Sequence, residues 1–168
     1  MVLTKEELIA SLQNEVRILL HLASKVDPAK VDYRPSAKQR SILELLRYMT
    51  YMGPALLPSI KKGSFDMETW GSAEAAANGM NLDQVVSAIG RQSALYADVL
   101  GAYSEADFRG EVEMFGQKSS RGSLLVNIVL CGFAAYRTQL FLYLKSCGRE
   151  ELNTMNLWAG MDGQMAPA

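Results

Sequence analysis

The sequence predicts an all-α protein, an antiparallel four-helix bundle with a short C-terminal helix and a tail. Three capping boxes and the periodicity behind them carry that prediction. Thr4 is followed three residues on by Glu7, Ser41 by Glu44 and Asn81 by Gln84, each pair able to satisfy two otherwise orphaned amides at a helix start. Behind each box apolar residues recur in steps of three and four, whereas strand-like alternation is confined to one brief segment. With 168 residues the chain is of one-domain length, so residues 1–168 are expected to form a single unit. A domain of that size buries roughly 70% of its unfolded surface and needs no disulfide or metal to hold it together.

The first helix is expected over about 5–26, with Leu8, Leu12, Val16, Leu19, Ala23 and Val26 on its apolar stripe and Asp27-Pro28 as its stop. The second spans about 42–61. Gly53-Pro54 and Pro58 should kink it, since proline lacks an amide donor and crowds the carbonyl four residues back. From Lys62 to Gly79 small residues predominate and predict a long loop, with Phe65 and Trp70 as anchors. The third helix runs over about 82–102, and Ser104 to Asp107 forms at most a further helical turn. Val112 and Met114 alternate with Glu111 and Glu113, a strand pattern too short to seed a sheet. The last long helix covers about 122–147 with Gly148 as its cap, and a shorter one covers about 150–158 before the tail.

Composition closes several functional classes. Seventeen Lys plus Arg against 18 Asp plus Glu leave a net charge of −1, without the cationic surplus that nucleic acid binding requires. With 49% hydrophobic and 21% charged residues the chain reads as an ordinary globular protein. Lys5, Glu6 and Glu7 stand where a signal peptide would need apolar residues, so the expected compartment is the cytoplasm. Leu124 to Tyr136, broken by Asn127, is shorter than the ~20 residues of a membrane span, and no membrane partner is expected. Cys131 and Cys147 fall in one helix about 24 Å apart, beyond disulfide reach.

Projected on a helix, the sole histidine, His21, faces away from the Leu8/Leu12/Leu19 stripe and is expected at the surface. Glu15 lies at the stripe's edge, placed to pair with a cation of a neighbouring helix or to enter a pocket. The last long helix carries two apolar stripes. Leu124, Ile128, Cys131, Ala135 and Leu142 form one; Val129, Phe133, Leu140 and Leu144 form the other, which predicts either full enclosure or a homodimer through this helix. Familiar catalytic patterns fail. Ile18 stands three before His21, so no Glu-x-x-His is present; Glu111 stands where a phosphate loop ending in Gly116, Gln117 and Lys118 would need its first glycine; and a Ser-His-Asp triad would depend on the outward His21.

Two segments together, DYRPSAKQRSILELLRYM and LLVNIVLCGFAAYRTQLFLYLKSCG, resemble the DinB/YfiT-like superfamily of four-helix bundles. The resemblance rests on the Pro35 to Leu46 entry into the second helix and on Arg137, Gln139, Leu144 and Gly148 in the last. It implies three metal-binding histidines at the positions of Tyr48, Gly132 and Tyr136, none of which is histidine here. A glycine offers no donor and a neutral phenol is a poor ligand beside imidazole, so no metal or other cofactor is expected. The family's thiol transfer and hydrolysis use the ion to lower the pKa of a bound thiol or water, and they lose their engine without it.

What the resemblance leaves is the space between the helices. Tyr48 and Tyr136 either face a small-molecule ligand, with Gly132 leaving room beside them, or fill the vacated metal space. Glu15, Gln139 and Trp158 are candidates for lining or lidding that space, with Met161 beside Trp158. The expectation is a metal-free binding or interaction protein; the alternative is a thiol S-transferase or hydrolase working through a tyrosine hydroxyl.

Overall fold

The computed structural model describes residues 3–163. Four long helices dominate them: α1 (Lys5–Ala23), α2 (Ile42–Lys62), α4 (Leu82–Gly101) and α6 (Arg121–Ser146). The boxes at Thr4, Ser41 and Asn81 are all formed, with side chain and backbone bonded reciprocally. Both α1 and α2 pack against both α4 and α6, which closes a ring of contacts around one apolar cluster. Its centre holds Leu12, Leu19, Leu45, Met49, Ile89, Tyr96, Phe133 and Leu140, all at most 2% exposed.

α2 passes through Pro54 and Pro58 without a break and ends at Gly63, whose φ of 80° lets it cap the helix. The prolines are accommodated from outside the helix. Pro54 cannot donate to the Thr50 carbonyl, and buried Gln92 of α4 donates there instead (3.0 Å) and to Met49 as well (2.9 Å). Gly53 completes the fit, because a Cβ at that position would sit 1.9 Å from the Tyr96 hydroxyl oxygen.

The loop expected over 62–79 is a helix, α3 (Met67–Asn78). Asp66 caps it by accepting from the Thr69 amide, and its alanines supply helix propensity that a count of small residues reads as loop. The Ser59 hydroxyl accepts from the Asp66 amide and fixes the turn that lays α3 on α2. After the short α5 (Glu105–Arg109), β1 (Glu111–Met114) pairs antiparallel with β2 (Gln117–Ser120), Glu111 opposite Ser120 and Met114 opposite Gln117. The expected lone strand is thus one arm of a hairpin. Phe115 and Gly116, with φ of 54° and 73°, make its two-residue turn.

α6 contains a π-helical turn over Leu125–Leu130. Its 26 residues include a window of mean hydropathy 1.4, a length and composition that a core helix shares with a membrane span. Val129, Phe133, Leu140 and Leu144, the stripe that suggested a dimer, are fully buried against the other helices. The other stripe is the one left open: Cys131, Ala135 and Leu142 are exposed.

His21, expected at the surface, is largely covered, its side chain 14% exposed. The π-helical turn Met155–Ala159 lies over α1, and buried Asn156 brings its side-chain nitrogen to 3.1 Å from the imidazole. Asp162 bonds Asn156 (3.0 Å) and pairs with Lys25 (2.6 Å) on the same face. A projection of α1 alone has no means of registering a cover contributed from 135 residues away.

Candidate functional site

α2 and α6 lie side by side, which brings Tyr48, Gly132 and Tyr136 together in one cleft of about 630 Å³. Tyr48 and Tyr136 meet edge to face with ring centres 4.9 Å apart. Their positions follow from the helix register: Tyr48 lies one turn before Met52 on α2, and Gly132 and Tyr136 are one turn apart on α6. The room that Gly132 was expected to leave is taken by Met52. A Cβ at Gly132 would come within 3.0 Å of its methyl and 3.2 Å of its sulfur.

Phe65, Trp70 and Phe115 add three rings to the lining, and Tyr51 packs against the cleft's rings without lining it. Tyr51 stands 5.4 Å from Tyr48 and 5.2 Å from Trp70, and Phe65 continues the series at 5.5 Å from Trp70 and 5.7 Å from Phe115. Phe115 is 65% exposed at the hairpin tip, in a left-handed conformation that bulky side chains rarely adopt. Asn127, Ile128, Cys131 and Ala135 complete the α6 wall. Trp70 and Phe65, expected as loop anchors, therefore reach the cleft from α3 and from the turn before it. Phe115 was missed as a wall residue, and Tyr51 as the ring that packs on Tyr48 and Trp70. Tyr51 follows Tyr48 at three residues on one helix, a readable signal; Phe115 depends on hairpin closure, which nothing in its local sequence announces.

Burial pushes the Tyr48 phenol well above its ordinary range, helped by the adjoining Tyr136 hydroxyl and only partly opposed by the Arg40 guanidinium, which stacks 4.2 Å from the Tyr48 ring centre. Tyr51 is pushed up to about 12 by burial and by Glu74, whose carboxylate accepts its hydroxyl at 3.2 Å. These phenols stay protonated at neutral pH and serve as hydrogen-bond donors, not as bases.

Glu15, Gln139 and Trp158 do not line this cleft. Glu15 is buried on the far side of α6, held by Arg137 through two bonds of 2.5 and 3.1 Å. Arg137 also donates to the Leu157 carbonyl and stacks on Trp158 at 5.4 Å, so Trp158 covers that ion pair and not the tyrosines. Gln139 donates to the Tyr143 hydroxyl (2.5 Å) beside a separate shallow depression. Met161 lies half exposed beyond Trp158, and the tail from 164 on lies outside the described residues.

The residues at the cleft do not fit a divalent metal. Two neutral phenols and a glycine make no donor set, the Met52 thioether occupies the space beside them, and no group of three His, Cys, Asp or Glu able to hold an ion occurs among the described residues. His21 is on the opposite face, under the C-terminal turn.

No family model and no curated relative matches the sequence. Among solved structures, a DinB-like protein from Bacillus subtilis, YjoA, superposes with a TM-score of 0.67 over 87% of this chain and 94% of that one, at 18% identity. The chain has a DinB-like fold. At that identity the likeness extends to the fold alone.

Proposed function

We propose that this protein is a metal-free small-molecule-binding module whose site is the aromatic cleft between α2 and α6, within an antiparallel four-helix bundle that forms a single cytoplasmic domain. The observation that carries the reading is the cleft's composition. Five aromatic rings, Tyr48, Phe65, Trp70, Phe115 and Tyr136, converge on an open space at the positions where the resembling family places its metal, and one of them, Phe115, is held there in an unfavourable backbone conformation. Packing alone has no use for an exposed ring at that lip. The ring of contacts among the four long helices supports the bundle arrangement.

Thiol transfer driven by a tyrosine is less well supported, because such a tyrosine needs a neighbour that lowers its pKa and burial here raises both Tyr48 and Tyr51. A homodimer through the last long helix is retained as a proposal on new ground: the surface available for it is that around exposed Leu142, since the other stripe is core and Cys131 and Ala135 border the cleft.

Tyr48→Phe and Tyr136→Phe test the binding reading by keeping the rings and removing the hydroxyls. Both variants are expected to fold with stability changes of no more than about 1–2 kcal/mol, the scale of one hydrogen bond, and to weaken any polar ligand found by thermal-shift screening of the wild type. A screen in which no compound class shifts the wild-type melting temperature would instead support rings that merely fill the space.

A further inference from the structure

We infer that the cleft takes an amphipathic organic anion, with its apolar ring or chain against Trp70 and Tyr136 and its single acidic group at Arg40 and Lys38. This rests on the cleft being a binding site and adds the chemistry of its guest. Tyr48 is a shared wall: on one side lies the aromatic cleft, on the other a depression of about 350 Å³ at the entry to α2. That depression carries four cationic side chains, Arg34, Lys38, Arg40 and Arg47, against two carboxylates, Glu44 and Glu74, in a chain whose overall charge is −1.

The partners of these groups determine which charges are free. Arg34 pairs with Glu44 at 3.2 Å, and Glu44 also accepts from the Ser41 amide. Arg47 donates to the Met80 carbonyl, and Glu74 accepts from Tyr51. Arg40 and Lys38 have no hydrogen bond or ion pair among the described residues, and the Arg40 guanidinium carbon lies over the Tyr48 ring, 4.2 Å from its centre. An unpaired guanidinium stacked on the wall of an aromatic cleft is suited to a carboxylate or sulfonate whose apolar body lies beyond that wall. The two carboxylates at the rim oppose a polyanion, which limits the guest to one acidic group. A wholly apolar guest would use one compartment and leave the cations without a role.

Two dyes of nearly the same shape separate the terms: 8-anilinonaphthalene-1-sulfonate, which is anionic, and N-phenyl-1-naphthylamine, which is neutral. The chain has two tryptophans, and Trp158→Phe leaves Trp70, in the cleft wall, as the sole donor for energy transfer to a bound dye. The anionic dye is expected to quench Trp70 and bind at least tenfold tighter than the neutral one at low ionic strength. Arg40→Gln with Lys38→Gln, at exposed positions and with folding verified by circular dichroism, should bring the two affinities within threefold, and Arg40→Lys with Lys38 intact should keep most of the preference. Equal affinities, or a preference that survives the double substitution, overturn the anion assignment and leave the cleft reading standing. If neither dye draws energy from Trp70, both fall together.

Discussion

A proline inside a helix leaves one carbonyl without its donor, and at Thr50 that donor comes from Gln92, a residue 42 positions away. The amide of Gln92 is held in turn by the Tyr96 hydroxyl, which donates to its side-chain oxygen at 3.1 Å and occupies the space that Gly53 vacates. Gln92→Leu keeps the volume and removes the donor, so the half-buried Thr50 carbonyl and the buried Tyr96 hydroxyl both lose their partner. The expected loss is about 1–3 kcal/mol, read as a lower denaturation midpoint at unchanged slope. An unchanged midpoint would show that α2 tolerates Pro54 without help.

The same scale contains a pH-sensitive contact. Burial, reinforced by Lys25, holds the His21 imidazole below its ordinary value of 6.5, against a smaller opposing pull from Asp162. The folded protein therefore binds this proton less readily than the unfolded chain. Its cost is absent above pH 6.5 and grows as the pH falls below that value, until folded His21 titrates too. Stability is expected to decline over that window, and His21→Gln should flatten the decline in a denaturation series between pH 7.5 and 5, a range chosen to bracket it. Asp162 acts elsewhere: its hydrogen bond from Lys25 holds its carboxyl below the ordinary 3.8, so its contribution is lost only at more acid pH.

Among the elements, the β1–β2 hairpin shows most clearly how a local conformation serves the cleft. Val112 and Met114 turn inward and are buried, as their alternation predicts, while the turn projects Phe115 outward to the ring of Phe65. A left-handed conformation costs a bulky residue roughly 1–2 kcal/mol, and glycine escapes it. Phe115→Gly is therefore expected to leave the melting temperature unchanged or raise it, while removing the cleft's outer lip. A loss of more than about 2 kcal/mol would place the ring in the core rather than at a binding surface. α3 contributes in another way: its alanine-rich body is mostly exposed, with Ala77 its one buried residue, and its half-buried Trp70 is what joins Tyr51 to Phe65.

At the scale of the whole molecule, α6 divides the fold in two. One side of it, with α2 and α3, holds the aromatic cleft; the other, with α1 and the Met155–Ala159 turn, holds the Glu15–Arg137 pair under Trp158. Breaking that pair by removing Arg137 would strand a buried carboxylate, so its place is structural. The outer face of α6, with Leu142 55% exposed, is the surface assigned to a second copy. Sedimentation at micromolar concentration is expected to give twice the chain mass of 18.5 kDa, and Leu142→Arg to return it to one. A wild-type monomer under those conditions ends the dimer proposal.

Helix starts, helical faces and the pairing of Glu15 with a cation were legible in the chain because each depends on residues within one or two turns, or on burial that a stripe declares. The meeting of Tyr48 with Tyr136 was legible only through resemblance. The failures share a cause. His21 and the Phe115 lip each depend on a distant segment, Asn156 and the hairpin fold, as does the choice between enclosure and a dimer seam for the Val129/Phe133/Leu140/Leu144 stripe. By itself the sequence determined a mostly helical chain with reliable starts, and side chains other than histidine at the three positions where the resembling family places its metal, since local hydrogen bonding and side-chain chemistry suffice for both. The tertiary structure alone decided which apolar face is core, that Met52 takes the space beside Gly132, and that an unpaired guanidinium adjoins the aromatic cleft, because burial and free charge are set by what packs against a residue and not by its neighbours in the chain.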